Sequence, residues 1–152
     1  MKVVTFGEIV LRLKTPENLR IMQSGGFEAS YGGAEANVAV SLVMYEDKCA
    51  FVSKVLNNPV GMSALNDRST NVVYDSAFSA FSLSQPSEYH WGNILEPGDV
   101  FYFSGVTPAV SKYVEDTVRS ALKYCKENDI QVICTIVEKC GLKNKRKLSC
   151  AI

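Results

Sequence analysis

Gly32 and Gly33, followed by Asn37, are the residues whose types and spacing best suit them to chemistry, within the stretch YGGAEANVAVSL at 31–42. Paired glycines relieve steric limits on backbone dihedrals and let a ligand or another segment approach bare peptide groups. The residues after them favour a helix, whose first N–H groups lack internal partners and are free to bind polar or anionic groups. Asn37 lies about one turn beyond Gly33, on the same helical face. Two readings follow: a donor-rich pocket at a helix start, or a tight strand-to-helix turn packed through Ala34, Ala36 and Ala39, with Asn37 satisfied by a nearby loop.

Other chemical signals are sparse. His90 is the single histidine, with no nucleophile or ligand cluster near it in sequence, and reads as a surface or packing residue. The five cysteines (Cys49, Cys125, Cys134, Cys140 and Cys150) are odd in number and lack zinc-type spacing, so they indicate neither a metal nor a disulfide framework. Cys49 and Cys134 are expected in or beside strands as small buried residues. Sixteen basic and sixteen acidic residues cancel, which argues against nucleic-acid and membrane partners and for a small molecule. Lys143, Lys145, Arg146 and Lys147 make a basic end without interleaved aromatics, the pattern of a solvated terminus. No segment reaches the roughly 20 apolar residues of a membrane span, and the N-terminus lacks a basic leader, so a cytoplasmic, reducing compartment is expected.

The elements that must position these residues can be read from periodicity. With 152 residues, 47% of them hydrophobic, the chain can bury a core. A short apolar run at 2–6 is followed, across Gly7, by strand alternation at 8–13, in which Ile9, Leu11 and Leu13 alternate with Val10, Arg12 and Lys14. A strand around 27–31, a helix at 34–44 and a buried strand at 50–55 suggest a βαβ unit with parallel strands and a right-handed crossover. The fold class is therefore α/β. Asn57 to Gly61 reads as a turn, and a helix is expected to begin at 62–68. Further on, the pattern predicts a short helix within 86–95 capped by Ser87, a turn at 96–99, a strand at 100–103, a helix from Ser111 to about 128, and a buried strand at 130–136. In the Ser111 helix, Val114, Val118, Ala121, Leu122 and Cys125 share one face.

Five ordered blocks, VVTFGEIVLRL (3–13), YGGAEANVAVSL (31–42), AFVSKVLNNPVG (50–61), VVYDSAFSA (72–80) and FYFSGVTPAVS (101–111), resemble the PfkB/ribokinase family of sugar kinases, in particular its members that phosphorylate 2-dehydro-3-deoxygluconate with ATP. The resemblance implies a truncated, ribokinase-like three-layer fold with a mostly parallel sheet and a remnant of the family's β lid at about 70–80. It implies one incomplete domain over 1–137, followed by a divergent basic tail at 138–152. It places Gly32, Gly33 and Asn37 at the substrate, with Glu8 near the sugar at the end of the first core strand and Tyr74 as a further sugar contact. Glu8 reads equally well as a solvated or capping carboxylate, and Tyr74 as a plain strand aromatic. The implied partners are a sugar or sugar acid and a second copy of the chain through the lid remnant.

The departures from the family pattern matter as much. Between 68 and 70 several dozen family residues, comprising most of the lid, have no counterpart, and the lid excludes water and completes the pocket. The family's arginine two positions after the lid tyrosine, which meets the substrate's acid group, is Ser76 here, a neutral hydroxyl in place of a bidentate guanidinium. Intact members use ATP and Mg²⁺, with the Asp of a GxGD motif as base beside an anion hole. No GxGD occurs in this sequence, and Asp99, in an EPGD turn before a strand, does not replace it. The expectation is a sugar half-site with no catalytic residue, no nucleotide site and no turnover of its own. Its alternatives are a non-catalytic binding or interaction remnant, or a fragment without selected function.

Overall fold

The computed structural model of the chain describes residues 1–58 and 79–136. The expected helix start at 62–68, most of the lid remnant with Tyr74 and Ser76, and the basic tail lie outside the described residues. Four parallel strands form the central sheet in the order β4-β1-β5-β6: β1 Val3–Phe6, β4 Cys49–Val52, β5 Val100–Ser104 and β6 Gln131–Thr135. A separate antiparallel pair joins β2 (Val10–Lys14) to β3 (Glu28–Gly32), with Arg12 opposite Ser30 and Val10 opposite Gly32. The sequence places β1 at the centre because both of its faces are apolar or uncharged. Val4, Thr5 and Phe6 are all fully buried.

Helix α1 (Ala34–Met44) packs on β4, β1 and β5 through its small residues, with Ala36 and Ala39 buried. The opposite face of the sheet carries the main core. There Val4, Phe6, Phe101 and Phe103 meet Val114, Val118, Ala121 and Cys125 of α3 (Lys112–Glu127), together with Phe81 and Trp91. Three layers result. Phe6 is the hub of this core, with ring centroids 5.2 Å from Phe81, 5.2 Å from Tyr89 and 5.5 Å from Trp91. Each such pair adds about 1 kcal/mol to the area it buries. Cys125 is fully buried, which pushes its thiol up to about 11 and makes it a packing residue.

Ser111 caps α3 as its sequence predicts, accepting a hydrogen bond from the Val114 N–H at 3.2 Å. Two expectations need correction. The 86–95 segment is a 3-10 turn, Pro86–Glu88, followed by a separate one-turn helix α2 (Trp91–Ile94), so Ser87 lies inside the first turn and caps nothing. Gln85 caps that turn in its place, its N–H donating to Glu88 Oε2 at 2.7 Å. Among the described strands β6 lies at an edge, and it is not a buried strand: Val132 is 37% and Ile133 44% exposed. Cys49 and Cys134 lie within strands β4 and β6 but are only half-buried.

Candidate functional site

The carboxyl ends of β1 and β5, the start of α1 and the β2–β3 hairpin converge on one corner of the sheet. Open α/β sheets place their ligands at this edge. Gly33 ends the hairpin and caps α1, and its carbonyl accepts the Asn37 N–H at 2.9 Å. Its φ of 180° is extended backbone that any residue adopts. What Gly33 supplies is space: a Cβ there would lie 2.1 Å from the Glu8 carbonyl oxygen. Of the two reasons that the sequence offers, dihedral freedom and close approach, the second applies here. Gly32 makes room in the same way for Arg12, whose Cζ would stand 2.5 Å from an added Cβ.

Asn37 projects from the first turn of α1 as an exposed residue. Among the described residues its side-chain amide has no hydrogen-bond partner; only its backbone is engaged, the carbonyl accepting from Ser41 Oγ at 2.9 Å. Among the described residues no loop satisfies this amide. Glu8 is half-buried, neither a cap nor freely solvated, and its Oε1 accepts the Ser79 hydroxyl at 2.5 Å. Glu8 and Ser79 also line a groove of about 460 Å³ whose walls are Ile9, Val10, Leu11, Leu13, Ile21 and Phe27. Four expected site residues, Gly32, Gly33, Asn37 and Glu8, are thus brought to one corner, while Tyr74 lies outside the described residues.

Two charged residues at this corner escape a reading by sequence pattern. Glu35, in the first turn of α1, is only 3% exposed. Its Oε1 accepts the Ser104 N–H at 2.8 Å and the Thr107 hydroxyl, stapling α1 to the SGVTP loop after β5. Its Oε2 fills the space over Gly7, where a Cβ would lie 2.1 Å away. The signal for it was an acidic residue at a helix start, favourable to the dipole but common on any surface helix. Arg12 is 8% exposed, and alternation along β2 marked it only as a polar position.

Asp99 sits at the opposite, amino edge of the sheet, where it accepts the Lys2 N–H at 2.9 Å and the Glu96 N–H at 3.1 Å. That position and those bonds make it a turn residue, far from the corner. Among the described residues no group of three or more His, Cys, Asp or Glu side chains could hold a metal ion. The SGVTP loop offers a nucleotide no cation: its one buried acidic neighbour, Glu35, already accepts the loop's donors. Among the described residues this corner thus shows no fit to ATP and Mg²⁺, and no step of phosphoryl transfer is derived from it. Among the described residues no helix is long and apolar enough to cross a membrane.

No family model matches the chain. The 2-dehydro-3-deoxygalactonokinase of Haloferax volcanii is 30% identical over 155 residues, which cover 83% of this chain and 48% of the relative. The crystal structure of 2-dehydro-3-deoxygluconokinase from Thermotoga maritima superposes with a TM-score of 0.82 at 36% identity, over 91% of this chain and 52% of that one. A PfkB family carbohydrate kinase from Listeria grayi superposes with a TM-score of 0.81 at 25% identity, again over 91% of this chain and 52% of the other. The chain thus spans about half the length of the relatives it matches, and the shared α/β fold is ribokinase-like.

Proposed function

We propose that this chain, which belongs to the PfkB family of sugar kinases, binds a 2-dehydro-3-deoxy sugar acid at the Gly32–Gly33–Asn37 corner and does not phosphorylate it unaided. The carrying observation is Asn37: an exposed amide with no partner among the described residues, one turn into a helix whose first N–H groups face the same corner. An amide both donates and accepts, as sugar hydroxyls require. The substrate class is taken from relatives that are named as kinases of 2-dehydro-3-deoxygluconate and 2-dehydro-3-deoxygalactonate. The expected lack of turnover is supported by the absence of a GxGD motif from this sequence and, among the described residues, by the absence of a cluster that could hold a metal ion.

Calorimetric titration of the folded chain with 2-keto-3-deoxygluconate, with Mg·ATP, and with both in a coupled phosphorylation assay tests this reading. Sugar-acid binding without ATP binding or turnover is the expected result. A folded sample that binds no sugar acid would end the half-site reading, and measurable phosphorylation by the pure chain would end the claim of inactivity. A second reading, as an interaction module, is favoured by β6, which meets no further strand on its outer side among the described residues and exposes Val132 and Ile133. The expected self-association through the lid remnant concerns residues of which only Ser79 and Ala80 are described.

A further inference from the structure

We infer that Arg12 is the residue that recognises the carboxylate of the bound sugar acid. This rests on the sugar-acid reading and adds to it the group that would discriminate an acid from a neutral sugar. Arg12 lies on β2 opposite Ser30, on the strand face shared by Val10 and Gly32. It is more than nine-tenths buried, at 8% exposure. Its Nε has no hydrogen-bond partner, and among the described residues its guanidinium enters no hydrogen bond or ion pair. A buried guanidinium stays charged, and a buried charge is costly unless an anion or strong acceptors compensate it. Such a cation is held ready for an anion that comes from outside the chain.

Its position says which one. The guanidinium folds over the α-carbon of Gly32, with Cζ, Nη1 and Nε at 2.5, 2.7 and 2.9 Å from where a Cβ would stand. Gly33 follows directly and opens α1, whose 11 residues bring a helix N-terminus to the same spot. The guanidinium and the first N–H groups of α1 therefore act together on an anion at the Gly32–Gly33 corner, and Asn37 stands one turn further along for the hydroxyls. A 2-dehydro-3-deoxy sugar acid carries one carboxylate and a chain of hydroxyls, which matches this order of groups. A planar fork pairs with a carboxylate through two charge-assisted hydrogen bonds, more strongly than neutral donors can. The guanidinium that Ser76 cannot supply thus comes from the hairpin.

The test compares 2-keto-3-deoxygluconate with its uncharged methyl ester, titrated into the full chain and into R12Q and R12K, with circular dichroism as the folding control. In the unaltered chain the acid is expected to bind about 10- to 100-fold more tightly than the ester, the range of a charge-assisted pair. R12Q should lose that preference, its acid and ester affinities becoming equal, and R12K should retain part of it. Equal affinity for acid and ester in the unaltered chain, or an undiminished preference in folded R12Q, would overturn the role of Arg12 and leave the sugar half-site standing. Binding of neither ligand would overturn both. Where R12Q does not fold, R12K carries the comparison, and an undiminished preference in folded R12K would overturn the role of Arg12.

Discussion

At Gly33 one of the two reasons that the sequence offers holds, close approach of another segment, and the other does not. Paired glycines before a helix suggest dihedral freedom, yet the one glycine with positive φ among the described residues is Gly98, at +86°. Gly33 is needed because the Glu8 carbonyl occupies the place of its Cβ, and a backbone oxygen cannot swing aside as a side chain would. Gly33→Ala is therefore expected to destabilise the chain by about 1–3 kcal/mol, the usual cost of overpacking, and to abolish sugar-acid binding. Gly25→Ala, where nothing lies within 4 Å of the added Cβ, is the matched control. Urea unfolding of the two variants checks this, and equal midpoints would refute it. Glu35 and Arg12 show the limit at this scale: a strand or helix pattern marks a charge as polar, and only the tertiary packing buries it.

At the scale of elements, the two long helices were readable almost to the residue, whereas the short one within 86–95 was not. α1 occupies Ala34–Met44, and α3 starts directly after its Ser111 cap. Capping and 3.6-residue periodicity are local signals, so the sequence carries them whole. Burial of β6 was not legible, because an apolar run looks the same whether one neighbouring strand or two cover it. The turn before β5 was legible as a turn, but its tie to the chain start was not. Asp99 there bonds Lys2 through both the backbone N–H and the ammonium, the latter at 3.3 Å, and so joins β1 to β5 at their amino ends.

That tie has a pH dependence with a definite sign. Burial works to raise the Asp99 pKa, but the N–H groups of Glu96 and Lys2, with the Lys2 ammonium, outweigh it and hold the carboxyl below the usual carboxylate value of 3.8. A lowered folded pKa adds stability that is present above the unfolded value and lost as pH falls through the folded one. Asp99→Asn should thus cost about 2 kcal/mol near neutral pH, the scale of hydrogen bonds to a charged group. The difference from the unaltered chain should shrink below about pH 4. Thermal melts of both proteins between pH 2 and 7 measure it, and a constant gap across that range would contradict the assignment.

For the whole molecule, the decisive feature is that the β6 edge of the sheet is apolar and meets no further strand among the described residues. β5 has β1 on one side and β6 on the other, whereas among the described strands β6 has a neighbour on one side only. Ile133, 44% exposed, and Ile136, 80% exposed, lie on and just beyond that edge. Natural edge strands resist pairing through charges, prolines or bulges, and β6 carries none of these over Gln131–Thr135. Among the described residues no further strand lies along its outer side, and with apolar side chains beside it this edge is a template for a strand supplied by another copy or by another protein. The purified chain is therefore expected to self-associate with rising concentration. The double variant I133K/I136K should suppress this, because each ammonium would have to be desolvated in the new interface. Surface changes of this kind usually move stability by no more than about 0.5 kcal/mol, so the melting transition should be nearly unchanged. Sedimentation velocity over a hundred-fold concentration range separates the cases. A lysine variant that associates as strongly as its parent would place the contact elsewhere, with the exposed Val40, Val43 and Met44 of α1 as the next surface to alter.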